Sequence, residues 1–209
     1  KFSPTTFASN IVAVWPDKEA IMNKETPGNK RSLASHRDAA IQKAQLAVMN
    51  RMQANLEAAR STITATGRIE EGLTCVVEQG PHRAVLDLGP AMGGEAAGPS
   101  PGFFGRAAIV GCVGIAVKML AAREGLVFRA VTVTVENDFD NAALMGLSRR
   151  SAAPLETRLQ IEIETDEEDA TVGDLIERAL TNDPWYLALR DAQVVRHKTR
   201  VANAARMSS

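Results

Sequence analysis

One apolar stretch constrains this chain more than any other. From Ala107 to Val117 no side chain carries a charge, and the run lies inside a longer helical pattern from Pro101 to Arg123. Ser100 is a natural N-cap, and Pro101 suits the first helical position, where its missing N–H is no loss. Gly125 reads as the helix end. Arg106 and Lys118 close off the charge-free run, which is too short to cross a bilayer. A helix apolar nearly all round must be buried on nearly all sides. The chain is therefore expected to wrap this helix with sheet, with other helices or with a second copy of itself.

The rest of the composition narrows the function classes. At 209 residues the chain suits one domain with a substantial core. A net charge of −1 leaves no nucleic-acid footprint, and two cysteines exclude a disulfide-stapled scaffold. His36, His82 and His197 lack metal-ligand spacing, and no Gly-x-Ser-x-Gly elbow is present. The loop Gly93–Pro101 has the glycines of a phosphate loop without its Gly-Lys-Ser/Thr ending. No signal peptide or membrane span is read. The expectation is a cytoplasmic protein with no cofactor or metal and with neither nucleic acid nor membrane as a partner.

In chain order, residues 1–34 read as an N-terminal arm, with a short apolar segment at Phe7–Trp15 and a turn at Thr26–Asn29. Residues 35–60 read as an amphipathic helix, its apolar stripe formed by Ile41, Ala44, Val48, Met49, Met52 and Leu56. Three strands follow, over 61–67, 73–78 and 82–88, before the long helix. Beyond it, 126–136 alternates with Val127, Arg129, Val131, Val133 and Val135 on one face, and 155–164 alternates again. A helix with Val172, Leu175, Ile176 and Ala179 inward comes next. Asn182-Asp183-Pro184 stops it, a short helix carries Trp185, and 194–201 reads as a final edge strand. Without repeated βαβ alternation this order argues for an α+β fold of mostly antiparallel sheet around a long central helix.

Cys112 in the middle of that helix is the main chemical candidate. A thiol must ionise to act as a nucleophile, which needs a nearby cation or a helix N-terminus. Cys112 lies three turns in, among Ala108, Ile109, Ile115 and Met119, so the residues alone favour an inert buried cysteine unless a cation arrives from elsewhere. Cys75, in an apolar strand, reads as core.

Gly93-Gly94, Gly98-Pro99-Ser100-Pro101 and the cysteine at position 112 together resemble the signature of the OsmC/Ohr family. The likeness covers roughly residues 61–201, with 61–209 as the OsmC-like domain. It implies an intertwined homodimer and a thiol-dependent peroxidase that reduces organic hydroperoxides. Cys112 would be the attacking thiol and an early-strand arginine, Arg68 or Arg83, its activating cation. The chain departs from the pattern twice. Gly102 and Phe103 stand where the family carries a glutamate that holds the arginine. Asp183 stands where the family carries its second, resolving thiol. Two readings follow: a peroxidase served by an external thiol reductant, or a non-catalytic dimer that binds a small apolar ligand near Phe103, Phe104 and Trp185.

Overall fold

The computed structural model describes residues 27–201, with side chains from His36 onward. Helix α1 (Pro27–Ala54) is followed by strands β1 (Thr66–Ile69), β2 (Cys75–Gln79) and β3 (His82–Leu86), then by helix α2 (Pro101–Glu124). Strand β4 (Phe128–Asp138), the single turn α3 (Asn141–Leu144), strand β5 (Glu156–Thr165) and helices α4 (Asp169–Thr181) and α5 (Pro184–Arg190) complete the order. β1, β2 and β3 form an antiparallel meander, and β4 pairs antiparallel with β5. The class is α+β with antiparallel sheets, as the residue pattern implies.

Both ends of α2 follow from local chemistry. The Ser100 side chain accepts the Phe103 N–H at 3.2 Å, and Pro101 occupies the first turn. At the other end Gly125 adopts φ 81°, a conformation that strains any residue with a Cβ, and Leu126 N–H returns to Ala121 O at 2.9 Å. Between these caps α2 packs against α1, β4, α4 and α5. Its C-terminal half carries the core, where Val117, Leu120 and Ala121 meet Phe128, Leu175 and Ala179. Each large apolar side chain removed from water there contributes about 1.5–3 kcal/mol before the entropy of ordering it is subtracted.

The glycine-rich loop before α2 is built around an internal anion. Asp87 is buried, and its Oδ2 accepts Thr74 Oγ1 at 3.0 Å and the N–H groups of Glu95 and Ala97 at 3.2 and 3.1 Å. Its Oδ1 accepts Leu88 N–H at 2.7 Å. The Ala97 N–H is the largest influence holding this carboxyl below its usual range; burial opposes it, and the remaining bonds assist it. A Cβ on Gly94 would collide with Leu88 O, and one on Gly98 would collide with Val85 O. These glycines therefore let the loop lie flat on β3, and the amides that a phosphate loop would offer to ligand point at Asp87 instead.

The structure differs from the sequence expectation in four places, the first being the opening strand, which is β1 at Thr66–Ile69 and not 61–67, so that Arg68 lies in the strand. The first helix runs from Pro27 to Ala54, not from Ser35 to Arg60. Pro27 starts it where a turn was expected, and a separate short turn at Glu57–Ala59 follows, with Ala58 N–H held by Asn55 Oδ1. Its inward stripe is also more polar than expected. Ala44, Met52 and Leu56 are exposed, while Asp38 pairs with Lys118 at 3.0 Å and Gln42 donates to Arg123 O at 2.9 Å. In β4 a bulge between Phe128 and Ala130 sends Phe128 fully into the core and turns Arg129 outward, onto Asp166 at 2.7 Å. Arg129 thus does not share the face of Val131, Val133 and Val135. Finally, 194–201 forms no strand, and Val194 and Val195 lie exposed. The Phe7–Trp15 segment and the arm through residue 26 lie outside the described residues.

Candidate functional site

Cys112 lies on α2, partly buried, with a free thiol, and the N-terminus of α5 crosses the helix beside it. α5 begins there because Asp183 caps it, Oδ1 accepting the Tyr186 N–H at 2.7 Å, and because Pro184 takes the first turn. Asp183 is fully buried, at 0% exposure, and its Oδ2 has no hydrogen-bond partner of standard geometry. The Cys112 thiol, a weak S–H donor, lies close enough for this side chain to act on it. Burial first, and then the Asp183 carboxylate, push the thiol above its ordinary value of 9.0, while the Trp185 backbone N–H pulls the other way. A carboxylate beside a cysteine has the opposite effect to the cation a reactive thiolate needs. Cys112 is accordingly held as a thiol at neutral pH. Asp183, read from the sequence as standing where the resemblance implies a second thiol, is a neighbour of Cys112 and offers no sulfur.

Neither arginine expected at the site acts on Cys112 within one chain. Arg68 on β1 is 78% exposed and pairs with Glu70 at 2.7 Å. Arg83 on β3 is exposed, opposite Glu78 in the ladder. The register puts both arginines on the same face of the meander, since Arg68 opposes Val76, Val76 opposes Val85, and Arg83 opposes Glu78. Cys75 occupies the other face, its Sγ 3.2 Å from where a Cβ on Gly67 would stand.

Next to Cys112 lies an apolar cleft of about 310 Å³. One wall is the first part of α2, with Gly102, Gly105, Arg106 and Ile109. The others come from Phe139 after β4 and from Trp185 and Leu189 of α5. Ile109 stands one helical turn before Cys112, so the cleft leads toward the thiol. Of the aromatic residues expected here, Trp185 lines the cleft. Phe103 and Phe104 do not; they pack edge to face on each other with centroids 5.4 Å apart. Phe139 and Leu189 escape sequence reasoning because a loop and a short helix bring them together without any periodic signal. Arg106 was visible only as the charge that ends the apolar run. Among the described residues no three His, Cys, Asp or Glu side chains are arranged to hold a metal ion.

A central helix carrying a thiol, flanked by an antiparallel pair and preceded by a meander, defines a class of fold that comparison identifies. A family model described as OsmC-like protein matches residues 93–198, half of the chain, and the chain belongs to that family. Among solved structures, the OsmC-like protein from Mycoplasma pneumoniae is 15% identical, covers 62% of this chain and 88% of its own, and has a TM-score of 0.54. The organic hydroperoxide resistance protein OsmC from Legionella pneumophila is 15% identical over 62% of this chain and 90% of its own, with a TM-score of 0.45. The organic hydroperoxide resistance protein OhrB of Bacillus subtilis is 16% identical over 62% and 91%, with a TM-score of 0.42. No match is found among curated proteins.

Proposed function

We propose that this protein binds a small apolar organic molecule in the cleft between α2, Phe139 and α5, with Cys112 present as an un-ionised thiol one turn beyond the cleft floor. The observation that supports this reading is an apolar cleft one helical turn from Cys112 together with the buried Asp183 side chain beside that thiol. Such a site gains from burying an alkyl or aryl body and does not generate a thiolate. The test is calorimetric titration with uncharged alkyl compounds, in wild type and in Cys112→Ser. Equal binding by both proteins is expected; no binding by either sinks the reading. In this reading α1 is an addition to an OsmC-like unit spanning 61–209.

A second reading is organic hydroperoxide reduction through Cys112 with an external thiol. Two observations favour it. Arg68 and Arg83 share one face of the meander. In addition, Ile115 in the middle of α2 is 61% exposed, and nothing lies within 4 Å of a Cβ placed on Gly111, so a second copy has room to dock there. A homodimer that brought this face over Cys112 would provide the missing cation. The thiolate would then attack the peroxide, leaving Cys112 as the sulfenic acid and releasing the alcohol. Two equivalents of external thiol would return Cys112 to the thiol, with a disulfide and water as products. The expected result is fast consumption of about one equivalent of alkyl hydroperoxide, abolished by Cys112→Ser, unaffected by Cys75→Ser and renewed on adding dithiol. Equal inertness of wild type and Cys112→Ser would eliminate this second reading.

A further inference from the structure

The cleft contains one charged side chain, Arg106, and that side chain has no partner among the described residues. The other described arginines without an ion pair or hydrogen bond to a protein group are exposed and solvated, and the half-buried Arg123 donates to Met49 Sδ and lies away from the cleft. Arg106 alone is both half-buried and unpaired among the described residues. Its guanidinium folds back over the first turn of α2, where Nη1 would lie 3.3 Å from a Cβ on Gly102. Glycine at 102 leaves that space open, and the first turn of α2 holds no acidic residue that could answer the charge. A planar guanidinium beside apolar walls is suited to take a carboxylate through two parallel hydrogen bonds, which strengthen as water is excluded.

Resting on the cleft-binding reading, we propose that the ligand is a small apolar carboxylate, its head on Arg106 and its hydrocarbon body along Ile109, Phe139 and Trp185 toward Cys112. A volume of about 310 Å³ limits the body. At roughly 30 Å³ per water-sized group, it holds about ten such groups, which is the scale of octanoate and excludes a long-chain fatty acid lying wholly inside. Arg106 is then the residue that separates carboxylates from alcohols and amines of the same length.

The test compares octanoate, 1-octanol and octylammonium by calorimetry on the intact chain, in wild type, Arg106→Gln, Gly102→Glu and Gly102→Gln. Glutamate at 102 lies one turn before Arg106, in the favourable orientation for a helical ion pair, and so occupies the guanidinium from within. Glutamine there adds bulk without charge. Wild type is expected to bind octanoate at least about tenfold more tightly than octanol, as a charge-assisted pair implies. Arg106→Gln and Gly102→Glu should each bring the octanoate-to-octanol affinity ratio, read within the same variant, to about one; Gly102→Gln should retain the wild-type preference. If Arg106→Gln fails to fold, Gly102→Glu, which keeps the arginine, decides alone. Octanol binding as tightly as octanoate, or octanoate undiminished in Gly102→Glu, overturns the carboxylate assignment while leaving the cleft reading intact. Binding of none of the three ligands overturns both.

Discussion

Asp183→Asn isolates the one electrostatic feature that sets this site apart from a reactive cysteine. Asn caps a helix about as well as Asp, so α5 should keep its Tyr186 N–H bond. The substitution removes a fully buried charge whose Oδ2 has no partner. It also removes the influence of Asp183 that, after burial, raises the Cys112 thiol. An unshifted thiol at 9.0 is about 1% ionised at pH 7, and Cys112 lies below that fraction. Because the thiolate is the species that is alkylated, Asp183→Asn should react faster at pH 7, with the part of the shift that comes from burial left in place. Asp183→Ala should show the same gain but lose the cap, at about 1 kcal/mol or a melting temperature lower by roughly 2–4 °C. The assay is stopped-flow bimane alkylation across pH on a Cys75→Ser background, with thermal melts of each variant. Equal rates with and without the Asp183→Asn change across the whole pH range would refute the argument.

Further outcomes follow from other parts of the fold. Leu175 is fully buried against α2 and β4, so Leu175→Ala should cost about 2–5 kcal/mol, readable by urea unfolding. Asp87 has a depressed folded value, so its stabilising contribution is complete above its unfolded value near 3.8 and is lost as pH falls toward the folded one. Asp87→Asn should abolish that acid dependence and lower stability at neutral pH, measured by melts from pH 2 to 7. The raised Cys112 value has the opposite sign. Unfolded chains release this proton first as pH rises past 9.0, so stability should decline there, and Cys112→Ala should flatten the decline. Gly111 meets nothing within 4 Å in one chain, so Gly111→Ala should stabilise an isolated helix surface by about 1 kcal/mol. If a second copy packs on that face, the same change should instead weaken the dimer in sedimentation analysis.

Much of the fold was legible because it rests on signals that are local in sequence. Ser100-Pro101 and Gly125 define the limits of α2 through capping rules that no tertiary contact overrides. Val172, Leu175, Ile176 and Ala179 repeat at helical spacing and do form the inner face of α4. The errors arose where tertiary packing decided. The bulge at Phe128 reverses one residue of an otherwise alternating strand, and alternation alone would never place Arg129 outside. The α1 stripe offsets its polar residues with specific partners, Lys118 and Arg123 O, that lie about eighty residues away in the chain. The Val194–Val201 segment has strand-like composition but nothing to pair with among the described residues, and an unpaired strand has no ladder to hold it.

Two elements of the fold bring Cys112 and Asp183 together. Cys112 is placed by α2, and Asp183 by its own capping bond to the Tyr186 N–H at the start of α5. A thiol at 183 would offer a disulfide partner, whereas a carboxylate there offers charge and withholds ionisation from Cys112. Gly102 leaves the first turn of α2 without an acidic residue, and the half-buried Arg106 guanidinium lines the apolar cleft with no ion pair among the described residues. The Asp183→Asn and Gly102→Glu variants therefore test the proposed binding site at two separate points.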